Sequence, residues 1–501
     1  MAPNTSILLQ NATILVPSGK KDESVIPLRE HSLLIEGNRI TRIAPRLIAP
    51  WPTTEVIDCT GKIVSPGFID THNHVWQSQL KGRHADHTLI EYIPTGSMQA
   101  YNYTPEDIFW GQLGGCLEAL DAGTTTVVDH AHMNYSPENN TAAIAATVSS
   151  GIRSIFGYAF VARVKEWQPR LTVNSSLVPD WAVKQVEELT KAAPFGDGRV
   201  QLGLAFDALF LPKEIVADLY DKCRRAGAKL VTSHYARGAV FGQHSIIDVL
   251  DGYGLLGPDL LISHATNMTD ADGEKLKRAR ASVSSTPDTE LQMGLGYPVC
   301  FRNDVKAISS FGVDCHANNG SSIIMQMRLA LQAERGRRNK ALILQGKAAR
   351  HQSITAQEVF RLGTIGGARA AKMQDEVGSL EEDKLADIVI FDALSPAMVC
   401  AAEQDPVAAI IFHSSIGDID TVIVDGQIRK RGGKLASIDV DVSDTNIKPA
   451  KSRLEWSDVA KELLKSRQRI NELDEKRLSG DIERAVDDLA MAFQIGEGSL
   501  V

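Results

Sequence analysis

Between residues 63 and 375 the chain alternates short apolar runs with helix-like stretches, the pattern of a parallel α/β fold. Eight β-rich runs stand out: IVSPGFID (63–70), TTTVVDH (124–130), RSIFGYAF (153–160), VQLGLAF (200–206), AKLVTSH (228–234), LLISHA (260–265), ASVSSTP (281–287) and ISSFGVD (308–314). The stretch TPEDIFWGQLGGCLEALDAG (104–123) reads as a helix capped by Thr104, with Pro105 in its first turn and Gly123 as its stop. PKEIVADLYDKCRRAG (212–227) repeats its apolar residues at helical spacing. Eight strand–helix units closing on themselves make a (β/α)8 TIM barrel, whose active site belongs at the C-terminal ends of the strands.

The two ends of the chain have a different texture. Residues 6–65 alternate like small antiparallel strands, with turns at Glu36-Gly37-Asn38 and Thr60-Gly61, and the same texture returns at 377–394 and 418–437. Neither block has enough apolar surface to fold alone. We therefore expect one small β-sandwich made from residues 1–62 and 376–440, with the 63–375 barrel inserted between them. Residues 441–501 form a helical extension. Its segment from about 452 to 490 (RLEWSDVAKELLKSRQRINELDEKR) has apolar residues at helical intervals under heavy charge of both signs, which suits a helix laid against the protein or a neighbouring subunit.

The formal charge of −9 argues against a nucleic-acid or anionic-membrane partner. Six cysteines without a C-x-x-C pair suit reduced thiols, and neither a signal segment nor an 18-residue apolar run occurs. The expected setting is cytoplasmic, with a small-molecule substrate as partner.

Chemistry enters at Thr71-His72-Asn73-His74. Period two puts His72 and His74 on one face of a strand end, half of a first-row metal site, although a bare His-x-His by itself is better explained by two polar strand-end residues. Further metal-competent residues sit at the ends of other runs: His234 at the fifth, His264 in the sixth and Asp314 at the eighth. A barrel brings all of them to one mouth.

These residues, together with the motifs PGFIDTHNH, AGTTTVVDH, STPDTELQMG, GVDCHANN and GSLEEDKLADIVIFD, resemble the amidohydrolase superfamily. They are most similar to its branch containing atrazine chlorohydrolase and the cytosine, guanine and S-adenosylhomocysteine deaminases. The resemblance spans nearly all of residues 1–440. It implies one divalent metal per chain, Zn²⁺ before Fe²⁺ or Mn²⁺, held by His72, His74, His234 and Asp314. A metal lowers the pKa of its water towards about 7. Asp314 would then be the general base, and His264 would polarise the group under attack or stabilise an oxyanion. The alternative for His264 is a satisfied core histidine. Two-metal members use a lysine at the end of strand four, and VQLGLAFDALF has none. The family also implies a homodimer or higher homo-oligomer.

One departure is as informative as the match. The deaminases follow the strand-five histidine with x-x-Glu, whereas here the stretch is His234-Tyr235-Ala236-Arg237. Arginine stays protonated and cannot act as the proton shuttle. Arg237 would suit an anionic group on the substrate, or else it is a surface residue starting a connection. Candidates for the missing acid–base group are His132, which shares a face with His130 after strand two, and Glu290 after strand seven. His316, two residues beyond Asp314, either meets substrate or makes a loop hydrogen bond. The long loop after strand one supplies Trp76, Gln77 and His84, as contacts to a flat ring or as packing of the lid.

The leading expectation is a mononuclear metal-dependent hydrolase that cleaves a C–N or similar polarised bond in a small cyclic or heteroaromatic substrate. A cyclic amide, lactone or ester hydrolase, or a decarboxylase-type lyase on an anionic substrate, is the alternative that Arg237 favours. A non-catalytic scaffold would be expected to have lost ligands, and all five metal-competent positions are intact.

Overall fold

A computed structural model of the chain describes residues 6–478, 481–496 and 498–500. Residues 1–5, 479–480, 497 and 501 lie outside the described residues, and with them the outermost parts of the 1–62 and 441–501 segments. Eight parallel strands follow one another in chain order as a (β/α)8 barrel: Phe68–Asn73, Thr124–Ala131, Arg153–Phe160, Val200–Phe206, Val231–Ala236, Leu260–Thr266, Ser282–Ser285 and Ser309–Phe311. A bridge between Asn73 and Asp314 joins the last strand to the first. There the Asp314 N–H donates to the His72 carbonyl at 2.7 Å, and the His74 N–H donates to the Asp314 carbonyl at 3.0 Å. Gly312 permits this approach, because a Cβ on it would lie 2.7 Å from the His72 carbonyl oxygen.

The first apolar run proves to be two strands. Lys62–Pro66 pairs antiparallel with Ile388–Asp392 in the terminal sheet, and the barrel strand begins afresh at Phe68. The break falls at Gly67, where a Cβ would lie 2.1 Å from Thr125 Oγ1. The two helices read from sequence form at Pro105–Asp121 and Lys213–Ala226. In the second, Val216, Leu219, Tyr220 and Cys223 make the buried stripe, and Gly227 ends it at φ +104°.

A nine-stranded sheet is assembled from both chain ends, Ser6–Pro17 to Lys62–Pro66 on one side and Ile388–Asp392 to Lys434–Leu435 on the other. Alternate residues of its strands, among them Ile7, Leu9, Leu33, Ile35, Ile388 and Ile390, meet in one buried cluster. The chain divides into two compact units. Met1–Asp70, Glu118–Val127 and Ser322–Ala436 contain this sheet, while Thr71–Leu117, Val128–Ser321 and Ser437–Val501 carry the C-terminal ends of all eight barrel strands.

Within the second unit the extension forms helices Trp456–Leu478 and Ile482–Ala492. Arg467 donates to the carbonyls of Gln79 (3.1 Å) and Lys81 (2.6 Å), and Ser466 donates to Asp107 at 2.6 Å. Arg83 meets Asp474 at 3.0 Å, and Ala485 and Leu489 pack with Ile90, Met98 and Trp167. The loop after strand one is thus held from outside by the C-terminal helices. No helix among the described residues is long and apolar enough to cross a membrane.

Candidate metal centre

Strand period and strand ends bring His72, His74, His234, His264 and Asp314 together at the barrel mouth. His72, His234, His264 and Asp314 each offer a ligand atom within 4.8 Å of the others. Asp314 Oδ1 lies 3.2 Å from His72 Nε2 and 3.1 Å from His74 Nε2, and the Nε2 atoms of His74 and His234 are 3.4 Å apart. His264 stacks on His234 with ring centroids 5.5 Å apart.

The outer nitrogen of every ring is tied down. His74 Nδ1 donates to the His130 carbonyl (2.8 Å), and His234 Nδ1 donates to Asp207 (2.9 Å). His72 Nδ1 meets the Ser263 hydroxyl (2.8 Å) and His264 Nδ1 the Thr286 hydroxyl (2.9 Å). For His74 and His234 the proton therefore sits on Nδ1, leaving Nε2 as a lone-pair donor. Two such nitrogens facing one another at 3.4 Å make an arrangement that a shared cation stabilises. With a carboxylate beside them, the donor set fits a divalent metal of the zinc type.

Charge follows the same plan. Burial holds His72 well below the usual histidine range and also lowers His74. Burial works against ionisation of Asp314, but the close imidazoles of His72 and His74 outweigh it and hold the carboxyl well below its ordinary value. Burial likewise pulls His234 down, and Asp207 outweighs it, so its pKa rises. His264 and Asp314 both occupy left-handed backbone, at φ +68° and +67°. For residues with a Cβ this costs about 1–2 kcal/mol each and persists where surrounding bonds over-determine it, as the two backbone bonds of Asp314 do.

The other residues singled out from sequence are placed as follows. His132 Nδ1 accepts the Trp76 indole N–H at 3.0 Å, so His132 carries its proton on Nε2, and its ring stacks on His74 at 3.8 Å. Trp76 is fully buried among Tyr103, Ala131 and Ala317. Gln77 is buried and donates to the Tyr92 hydroxyl at 2.7 Å. His84 is buried beside Tyr92, and burial pushes its pKa down to about 4. His316 Nε2 donates to the Val75 carbonyl at 3.0 Å. Glu290 is buried, accepts the Thr286 N–H at 2.8 Å and lies 3.8 Å from His264 Nδ1; burial raises its pKa. Arg237 is half-buried, with Nε donating to the Gln243 carbonyl at 3.1 Å.

Sequence reasoning passed over Asp207, Ser263 and Thr286 as supports of the histidine rings. Asp207 directly follows strand four, the position inspected for a lysine, and a carboxylate at a strand end was a readable signal. Ser263 and Thr286 carry no signal in their own spacing, since each acts on a ring from another strand.

The Amidohydrolase family profile matches residues 63–429. A 5-methylthioadenosine/S-adenosylhomocysteine deaminase of Pyrococcus abyssi is 27% identical over 454 residues, covering 87% of this chain and 96% of that one. A 5'-deoxyadenosine deaminase of Methanosphaera stadtmanae is 28% identical over 471 residues, 91% of this chain and 100% of that one. Two solved structures share the fold. An adenosine deaminase of Xanthomonas campestris with bound zinc has a TM-score of 0.73 at 19% identity, over 93% of this chain and 99% of its own. An atrazine chlorohydrolase of Arthrobacter aurescens complexed with zinc has a TM-score of 0.74 at 20% identity, over 92% and 100%. With the strand-end histidines and aspartate in place on this barrel, the chain belongs to the amidohydrolase family.

Proposed function

We propose that this enzyme holds one divalent ion, zinc in the first instance, on His72, His74, His234 and Asp314, and hydrolyses a carbon–nitrogen bond of a small cyclic or heteroaromatic substrate. The observation that carries the reading is the convergence of Nε2 atoms on Asp314 while every Nδ1 is engaged elsewhere. The ion supplies Lewis acidity, which brings the pKa of a water towards about 7. Asp314, kept ionised by its imidazole neighbours, accepts the proton of the attacking water. His264, fixed by Thr286, faces the atom that gains negative charge. Glu290 backs His264 as a buried carboxyl of raised pKa, and His132 presents its Nε2–H to the same mouth. Trp76, Gln77, His84 and His316 belong to the pocket wall, all of them buried. A cytoplasmic location is part of the proposal, supported by six cysteines that are all unbridged.

The deaminase relatives point to an exocyclic amine as the leaving group. Arg237 favours a second reading, in which the substrate carries an anionic group that the guanidinium binds bidentately. The test begins with metal content after purification without chelator. One divalent ion per chain, lost in His234→Ala, is the expected result; two ions, or none after reloading, would sink the mononuclear mechanism. Ammonia release is then followed over purine-type amines, cyclic amides and carboxylated aromatics. Turnover confined to the anionic compounds, and lost in Arg237→Gln, would select the second reading.

A further inference from the structure

Asp207 enters the site from strand four and touches two histidines at once. Its Oδ1 accepts the backbone N–H of His234 at 2.8 Å, and its Oδ2 accepts His234 Nδ1–H at 2.9 Å. The same Oδ2 lies 3.3 Å from Nε2 of His130, which is buried at the end of strand two. At the corresponding nitrogen His74 has a carbonyl, and His72 and His264 have hydroxyls. Among these four rings His234 is the one whose Nδ1 is hydrogen-bonded to a carboxylate, Glu290 standing 3.8 Å from that of His264.

That difference has a chemical meaning. An imidazole binds a metal through Nε2 only when its proton sits on Nδ1, and a carboxylate at Nδ1 selects that tautomer, aims the ring and makes Nε2 more basic. Asp314 alone cannot balance a dication in a buried pocket, and Asp207 brings a second negative charge to its edge. The grip on both the main chain and the ring of His234 removes the freedom to rotate away. We infer that Asp207 is a positioning residue of the metal centre, setting the tautomer and ligand strength of His234 without touching the ion. This rests on the reading of His234 as a ligand.

One competing arrangement uses the same atoms. His130, Asp207 and His234 each offer an atom within 4.8 Å of the others, which is also the outline of a second cation site. An ion there would need His234 Nδ1 stripped of its proton, breaking the bond to Asp207, so metal count and ring protonation separate the two.

The test uses the full-length zinc-loaded protein, with the zinc dissociation constant measured by chelator competition and histidine ring nitrogens followed by ¹⁵N NMR. Asp207→Asn presents an amide N–H where an acceptor is needed, and zinc is expected to bind about 10–100-fold more weakly at unchanged stoichiometry. The His234 signals should lose the pattern of a protonated Nδ1 with a metallated Nε2. Asp207→Glu keeps the charge but displaces it, and should fall between Asp207→Asn and the parent; it carries the test if the asparagine variant does not fold. His130→Gln should leave the constant within about threefold, since His130 does not touch the ion. An Asp207→Asn protein with parental affinity and unchanged ring signals overturns the inference. So does a parent with two zinc ions that falls to one in Asp207→Asn or His130→Gln. A parent that binds no zinc, or whose zinc is indifferent to His234→Ala, overturns instead the metal reading beneath it.

Discussion

Two His-x-His pairs end neighbouring strands of this barrel, and they meet different fates. In the first, His72 and His74 both turn Nε2 towards Asp314. In the second, His130 turns Nε2 to Asp207, while His132 accepts the Trp76 indole at Nδ1 and lies flat on His74. Spacing and strand position are the same for both, and three of the four rings are buried while His132 is half-buried. What separates them is the neighbour at each nitrogen: in the first pair Nδ1 is engaged and Nε2 faces Asp314, whereas in the second His130 has Nε2 on Asp207 and His132, accepting at Nδ1, keeps its proton on Nε2. A histidine pair is therefore half of a site, and its hydrogen-bond partners are the other half.

The sharpest way to break this comparison is to delete one ring from each pair. His74→Ala should lose zinc altogether, beyond the roughly 100-fold that loss of a supporting group costs, while His132→Ala should keep one ion per chain. Metal analysis after gel filtration reads both. Equal loss in the two variants would erase the distinction.

Next in size is a histidine outside both pairs. Burial depresses His84 to about 4 from 6.5, so between those values the unfolded chain binds the extra proton and the folded chain does not. Stability from this group is present above pH 6.5 and is lost as pH falls towards 4, by about 3 kcal/mol in all. Urea unfolding of the parent and His84→Leu across that range should show the parent losing that much more. Parallel curves would mean that burial alone does not keep a histidine neutral here.

The smallest effect belongs to the support of the second pair. Trp76→Phe leaves the half-buried His132 Nδ1 without its donor and should cost about 1 kcal/mol, with metal content unchanged. A fall in metal content would show that His132 reports to the ion through its stacking on His74.

The strands Arg153–Phe160 and Val200–Phe206 match their sequence runs at both ends, because each is an unbroken apolar stretch and periodicity is a local property. In the first run the Pro66-Gly67 turn pair marks an interruption, but that its two halves join different sheets depends on partners far along the chain, Ile388–Asp392 among them. The same divide runs through the site. His72, His74, His234, His264 and Asp314 were legible because strand ends are local. The groups that decide their roles were not, since Ser263 stands 191 residues from His72 in sequence. Trp76 and Gln77 lie on the short 3-10 helix Val75–Leu80 and His316 on a turn, where the inward face is set by packing rather than by strand period, so their partners His132, Tyr92 and Val75 had no counterpart in spacing.

The seam between the first and last strands bears on how the protein comes into being. Asp314 is hydrogen-bonded through its main chain to His72 and His74, the residues whose rings face its carboxylate. Closing that seam spans most of the barrel in sequence, the kind of long-range contact that forms late in folding. A chain emerging from the ribosome displays its histidines long before the aspartate arrives. Until the final strand docks it has no assembled cage, so on the proposed metal reading ion capture and completion of the barrel become one event. Half-made copies then lack the donor set proposed for a divalent ion, which the closed barrel alone assembles.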